Sequence, residues 1–309
     1  MRGVGVARRF LRRRLDRWRR GAFILLYHRV EDDGPDPFGI RVTPARFEEQ
    51  LAMLRDRWTI VPMADLVRAL RSGRDVRGWV AITFDDGYED NLRLALPALR
   101  EAGLPATVFV VSDELGRRFW WDRLTNLWAT RRGAPDTGEF FALHRRLRGT
   151  EPGARDRELD ALASEPALAG TQTASGRPPR AMTDSEVAEL AASGLVEIGA
   201  HTRNHPFLPD LTRERQEREI GGAKVVLEEV IGRPVPGMSY PYGGFDGASV
   251  VAAGKASFDY ACAAAPGVCT TASPLLSLPR VTALDWSGDE LDTHLRARAP
   301  GSARPGSRP

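Results

Sequence analysis

The sequence predicts an α/β protein built on a parallel sheet, and three observations carry that reading. Strand-like and helix-like segments alternate through most of the 309 residues, which implies parallel strands joined by crossover helices. The strands are continuous apolar runs, the pattern of burial on both faces. No Gly-rich phosphate loop follows any strand, which disfavours a nucleotide site and leaves an open doubly wound sheet and a closed barrel both standing.

The elements follow in order. Phe23-Ile24-Leu25-Leu26-Tyr27 reads as a buried strand. Thr43-Pro44 opens a helix to about Arg55, with Pro at its first position and Phe47, Leu51 and Leu54 on one face. Met63 to Leu70 reads as a short helix, Val80 to Phe84 as a strand, and Asn91 to Ala102 as a helix stopped by Gly103. Ala106 to Val111 is a third strand. Thr183-Asp184-Ser185-Glu186 has the form of a capping box and starts a helix ending near Gly194. Glu197 to Ala200 is strand-like, Arg213 to Ile231 is a long helix ended by Gly232, and Gly237 to Tyr240 is a strand. A helix over Ser249 to Ala256 and strands over Tyr260 to Ala264 and Leu276 to Val281 complete the series.

Residues 113–180 break the rhythm. They open with Phe119-Trp120-Trp121 and turn rich in Arg, Gly, Ala and Pro. A segment of that length is read as an insertion, either a binding element or a helical cover.

Charge is unevenly spread. Nine arginines against Asp16 give the basic arm, residues 1–20, a charge of +8, so the rest of the chain carries −5 of the overall +3. An acidic body excludes nucleic acid as the expected partner. Phe10, Leu11, Leu15 and Trp18 recur at near-helical spacing in the arm, which fits either peripheral contact with an anionic membrane surface or a solvated tail. No signal-length apolar run follows the arginines, so the expected location is cytoplasmic, with the inner membrane surface as the alternative. Cys262 and Cys269 are expected to stay reduced and receive no function. Residues 296–309 are read as a disordered tail, leaving 21–295 as one domain.

Two strand ends carry the chemistry. Asp85-Asp86 follows the Val80–Phe84 strand, and adjacent carboxylates there call for a compensating cation. His201-Thr202-Arg203-Asn204-His205 follows the Glu197–Ala200 strand, and Pro206 makes it a turn rather than a helix. Asp86, His201 and His205 supply three mixed ligands with positions left open, and Asp85 is the spare carboxylate for a general base. A two-His, one-carboxylate set holds zinc, cobalt, nickel or iron. Ser239-Tyr240-Pro241-Tyr242-Gly243 forms a sharp turn able to aim a backbone N–H at an oxyanion.

In this order, Thr-Phe-Asp-Asp-Gly, His-Thr-x-x-His and Tyr-Pro-Tyr-Gly resemble the motifs of the polysaccharide deacetylase family (the NodB homology domain, carbohydrate esterase family 4), over roughly residues 20–290. The resemblance implies a distorted (β/α) barrel, a single domain with an insertion. It also implies a divalent metal, most often zinc, on Asp86, His201 and His205, with Asp85 as base and the Tyr242 N–H on the oxyanion. The substrate it implies is an N-acetylated sugar, oligosaccharide or polysaccharide, or a lipid-linked saccharide. An O-acetyl esterase and a non-catalytic carbohydrate-binding barrel are the competing functions.

Two departures from the family pattern carry further expectations. Ser239 stands where the family has the arginine that orients the base, and Arg280 is expected to substitute, with Asp285 as its partner. The family's C-terminal Leu-x-Leu-His strand is missing, and Leu25-Leu26-Tyr27-His28 matches it at the other end of the chain. First and last strands are neighbours in a closed barrel. The chain is therefore similar to circularly permuted members such as the poly-N-acetylglucosamine deacetylases, with His28 as general acid.

Overall fold

The computed structural model describes residues 21–32, 34–129, 137–164 and 178–298. The basic arm and residues 299–309 of the expected tail lie outside these.

Strand β1 (Phe23–Tyr27) is followed by a two-residue pair, β2 (Arg29–Val30) and β3 (Arg41–Val42), then helix α1 (Pro44–Arg57), β4 (Thr59–Ile60) and α2 (Met63–Arg71). Strand β5 (Trp79–Phe84) leads through a π-helical turn, Asn91–Ala95, into α3 (Leu96–Ala102), and β6 (Ala106–Val110) follows. The insertion folds as α4 (Trp120–Ala129), α5 (Thr137–Arg148) and α6 (Pro152–Ala163). Then come α7 (Asp184–Ala192), β7 (Val196–Ala200), α8 (Arg213–Ile231), β8 (Gly237–Ser239), α9 (Gly247–Lys255), β9 (Tyr260–Pro266), β10 (Leu278–Thr282) and α10 (Gly288–Arg298).

Seven parallel strands close in the order β1-β10-β9-β8-β7-β6-β5, with β5 returning to β1. Of the two sheet architectures open to the sequence, the barrel is the one formed. Strand β1 completes it: Leu25 pairs with Val281 on one side and with Ile82 on the other. The N-terminal strand thus lies between the last strand and the one that carries Asp85-Asp86.

Alternate strand residues face two different cores. Phe23, Leu25, Val80, Ile82, Val108 and Ile198 pack outward against the helices. Ile24, Ala81, Phe109, Tyr260, Cys262 and Leu278 cluster with Met63, Leu66 and Leu70 of α2. Large rings are accommodated because neighbouring strands carry glycine at the same level. A Cβ on Gly199 would lie 2.3 Å from the Phe109 ring, and one on Gly237 2.0 Å from the Tyr260 ring. Cys262 and Cys269 are buried free thiols.

Helix bounds fall within two residues of expectation, and the capping box at Thr183 and Glu186 forms with both hydrogen bonds. Two corrections arise. Strands β2, β3 and β4 are two residues each, too short to leave a periodic signal. Helix α10 runs to Arg298, past the boundary set for the tail at residue 296, because Leu291 and Leu295 anchor it in the core. Of the two forms expected for the insertion, the structure has the helical one, a small layer with its own apolar cluster built on Phe119, Trp120, Trp121, Phe140, Leu147 and Leu159.

Candidate active site

Every motif lies at the carboxyl end of a barrel strand, where α/β barrels assemble their sites. The ladder extends into the loops: Asp85 N–H donates to Tyr27 O, and His201 N–H to Val110 O. Beyond that point the backbone turns sharply. Asp86 (φ 71°), Thr202 (φ 64°), His205 (φ 54°) and Tyr242 (φ 58°) are left-handed, four of the five such non-glycine residues among those described. Left-handed backbone at non-glycine residues costs energy and concentrates where side chains must be aimed.

Asp86, His201 and His205 converge, with one donor atom from each within 4.8 Å of the others. The Asp86 Oδ1 lies 3.5 Å from His201 Nε2 and 3.4 Å from His205 Nε2. All three residues are buried. His201 Nδ1 is 2.9 Å from the Ser239 carbonyl, which fixes that nitrogen as the donor and turns the Nε2 lone pair toward Asp86. Asp86 Oδ1 and His205 Nδ1 have no hydrogen-bond partner. Burial, with Asp85 and Asp122 nearby, pushes the Asp86 carboxyl well above its ordinary range. Burial pushes both histidines down, so they are neutral and keep their lone pairs. An orphaned carboxylate oxygen between two neutral imidazoles is the donor set a divalent cation satisfies, so these residues fit a metal.

Asp85 is held differently. Arg280 reaches across the barrel from β10 and forms a bidentate pair, Nη1 to Oδ1 at 2.7 Å and Nη2 to Oδ2 at 2.6 Å. Its other bonds go to Ser239 Oγ (2.7 Å), Thr83 Oγ1 (3.2 Å) and Ala263 O (2.9 Å), so all five guanidinium N–H groups are used. Ser239 Oγ in turn donates to Asp85 Oδ2 at 3.1 Å. Burial acts to raise the Asp85 pKa, but the Arg280 charge and His201 outweigh it and hold the carboxyl well below the usual range. Arg280 thus stands where it was expected to orient the base. Its expected partner is corrected: Asp285 accepts from Thr43 N–H and Oγ instead, at the start of α1. Ser239, read only as a departure from the family motif, contacts both members of the Arg280–Asp85 pair.

Tyr27 is in register with Phe84, so His28 stands level with Asp85 on the adjacent strand end. Asn91 Nδ2 donates to the His28 carbonyl at 2.9 Å, and the imidazole Nδ1 is buried without a partner. Burial lowers the His28 pKa to about 4, while the Asp85 charge acts in the opposite sense and Arg280 and His201 add to the lowering. Tyr242 sits on its turn with its ring 4.6 Å from that of His205.

The insertion reaches the same place. The Trp121 ring packs 4.6 Å from His205, and its N–H donates to Tyr88 OH at 2.7 Å. Tyr88 lies under Arg29, which is paired to Asp90 at 3.0 Å. Sequence reading noted the tryptophans without placing them. It missed Tyr88, Asp90 and Asp122, whose only signal is proximity to the Asp-Asp motif or the aromatic cluster.

The comparisons agree with this architecture. Residues 73–261 match the family model for polysaccharide deacetylase. The Bacillus subtilis protein YxkH, whose name places it among polysaccharide deacetylases, is 22% identical over 260 residues, 84% of this chain and 70% of its own. The structure of IcaB from Ammonifex degensii superposes with a TM-score of 0.63 at 19% identity, covering 90% of this chain and 97% of that one. A Streptococcus pyogenes deacetylase, PplD, in complex with acetate, gives 0.57 at 20% identity, over 90% and 99%. With strand-end motifs, barrel and family model all in agreement, the chain belongs to the polysaccharide deacetylase family.

Proposed function

We propose that this carbohydrate deacetylase removes the N-acetyl group of an acetamido sugar in a metal-dependent reaction, releasing acetate and a free amine. The observation that carries the reading is the contrast between two adjacent aspartates. Asp85 is held at both oxygens by Arg280 and at one by Ser239, whereas Asp86 has an orphaned oxygen between two neutral histidines. One carboxylate is built to stay in place and handle a proton, the other to bind a cation.

Asp86, His201 and His205 would hold the ion, and a divalent cation there supplies Lewis acidity toward the acetyl carbonyl and toward water. Asp85 takes the proton from the attacking water. It is ionised throughout the neutral range, and Arg280 and Ser239 fix its orientation while a lone pair on Oδ1 remains for the water. The left-handed turn at Tyr242 offers a backbone N–H to the developing oxyanion. His28 delivers the proton to the departing nitrogen. An amine needs that proton more than an alkoxide does, which favours the amide over the ester. Asp85 and His28 act as a coupled pair, because the Asp85 charge raises the His28 pKa against the burial that lowers it to about 4.

The test is acetate release from a panel of N-acetylglucosamine glycans, with metal content measured on the same protein, for wild type and Asp85→Asn. Metal-dependent release that Asp85→Asn abolishes while the metal stays bound is expected. Release from O-acetylated sugars alone would transfer the site to the esterase function. Release that survives chelation would remove the metal from the mechanism.

A further inference from the structure

Two arginines of the insertion lie against the aromatic side chains beside the site, with no carboxylate partner among the described residues. Arg148, at the end of α5, places its guanidinium carbon 4.4 Å from the Phe207 ring and 5.2 Å from the Tyr242 ring. Arg155, on α6, is 3% exposed and lies 4.8 Å over Trp120. The Nε of each is buried without a hydrogen-bond partner. The carboxylates whose fields reach Arg155 are engaged elsewhere: Glu114 with Arg117 at 3.7 Å, and Asp156 with Arg123 at 2.8 Å. Glu151, between the two helices, pairs with Arg215 at 2.5 Å.

Burying an unpaired guanidinium is costly, and an aromatic face offsets only part of that cost. The barrel does not need these charges, since its own buried arginine, Arg280, is fully bonded. Arg148 instead faces Tyr242, whose ring touches His205, and Arg155 faces Trp120, which adjoins the Trp121 ring packed on His205. A sugar whose acetamide reached Asp86 and Asp85 would therefore present its neighbouring substituents to Arg148 and Arg155. Planar guanidinium groups with free donors match the geometry of carboxylate and phosphate oxygens.

Resting on the deacetylase reading above, we propose that Arg148 and Arg155 form an anion subsite and that the natural substrate is an acetamido saccharide bearing an oxyanion, a carboxylate or a phosphate, next to the sugar that is deacetylated.

Steady-state kinetics on matched substrates test this: N,N′-diacetylchitobiose as the neutral one, N-acetylglucosamine 1-phosphate as the phosphate, and a glucuronate-containing N-acetylglucosamine disaccharide as the carboxylate. One charged substrate is expected to exceed the neutral one in kcat/KM by about 10- to 100-fold, the worth of a charge-assisted hydrogen bond, and which one does so names the source of the anion. Arg148→Gln is expected to raise KM for that substrate while sparing kcat, so that the ratio of charged to neutral kcat/KM collapses toward one. Raised salt should compress the ratio in wild type but not in the variant. Because Arg155→Gln risks the fold, binding of N-acetylglucosamine 1-phosphate to the chelated wild-type protein, followed by Trp fluorescence, gives a readout independent of turnover. Binding that Arg148→Gln weakens supports the subsite. Equal kcat/KM for charged and neutral substrates, or a ratio that Arg148→Gln leaves intact, would overturn it while leaving the deacetylase standing. Acetate release from none of the three would sink the deacetylase reading and the subsite together.

Discussion

Asp85 and Arg280 show how much a single residue's environment decides. The pair is buried, bidentate and completed by Ser239, so removing one partner leaves an uncompensated charge inside the barrel. Arg280→Met is expected to cost about 3–5 kcal/mol in stability, measured by denaturant unfolding, while the joint change with Asp85→Asn costs less than the sum. The coupling of Asp85 to His28 makes a second prediction. Each of Asp85→Asn and His28→Ala alone should lower kcat for N-acetyl release by about 10²- to 10⁴-fold. The double variant should lose little more than the worse single, since the imidazole without the Asp85 field has lost the influence that favours its proton. Fully multiplicative losses would show the two groups acting independently. The identities of Asp85, Asp86, His201 and His205 were legible because Asp-Asp and His-x-x-x-His at strand ends are rare chemical patterns. Their aim was not legible: Asp86, Thr202, His205 and Tyr242 take left-handed backbone that no residue type except glycine announces. The Asp285 expectation failed for a related reason. Sequence proximity to Arg280 could not reveal that the arginine points through the barrel rather than along its own loop.

Secondary elements were legible where their signal is local and long. Arg213–Ile231 was read to the residue, because Thr212 caps its start and Gly232 (φ 64°) ends it. The capping box before α7 is the same kind of signal and has a measurable worth. Thr183 accepts from Glu186 N–H at 3.3 Å, and Glu186 accepts from Thr183 N–H at 2.8 Å. Thr183→Ala should destabilise by about 1 kcal/mol in denaturant unfolding. Glu186 adds a pH signature. Its bonds to Arg180, foremost, and to Thr183 lower its pKa to about 2, so it contributes stability above the unfolded value that is lost as pH falls toward 2. Glu186→Gln is therefore expected to lower the melting temperature at neutral pH and to match wild type near pH 2. Because the pair is only partly buried, the difference should shrink in high salt. Helix α10 escaped notice because its core contact rests on Leu291 and Leu295 inside an otherwise polar stretch. The insertion was legible as a departure but not as three helices, since its packing depends on aromatic contacts between segments distant in sequence, such as Phe38 with Phe140.

At the scale of the whole molecule, closure is the property that sequence reading reached only through resemblance. Apolar strands alternating with helices are equally compatible with an open sheet, and what decides is the pairing of β1 with both β10 and β5. That closure brings His28, Asp85 and Arg280, far apart in sequence, to one end of one barrel. The same geometry lets the proposed metal act as a staple. Its ligands sit on the loops after β5 and β7, on either side of β6, so an ion bound there fixes two strand ends whose backbone is otherwise held in unfavourable left-handed conformations. An ion that binds the native chain and not the unfolded one at 100 times its Kd stabilises by about 2.7 kcal/mol. For a chain of this size, that corresponds to a rise in melting temperature of about 5 °C. Chelated protein should therefore melt about that much lower than protein resupplied with zinc. His205→Ala should abolish the difference by removing a ligand. Asp85→Asn should retain it, because that carboxylate is committed to Arg280 rather than to the ion. Identical melting of chelated and resupplied wild type would separate the barrel's stability from any metal and return Asp86 to the role of a buried, protonated acid.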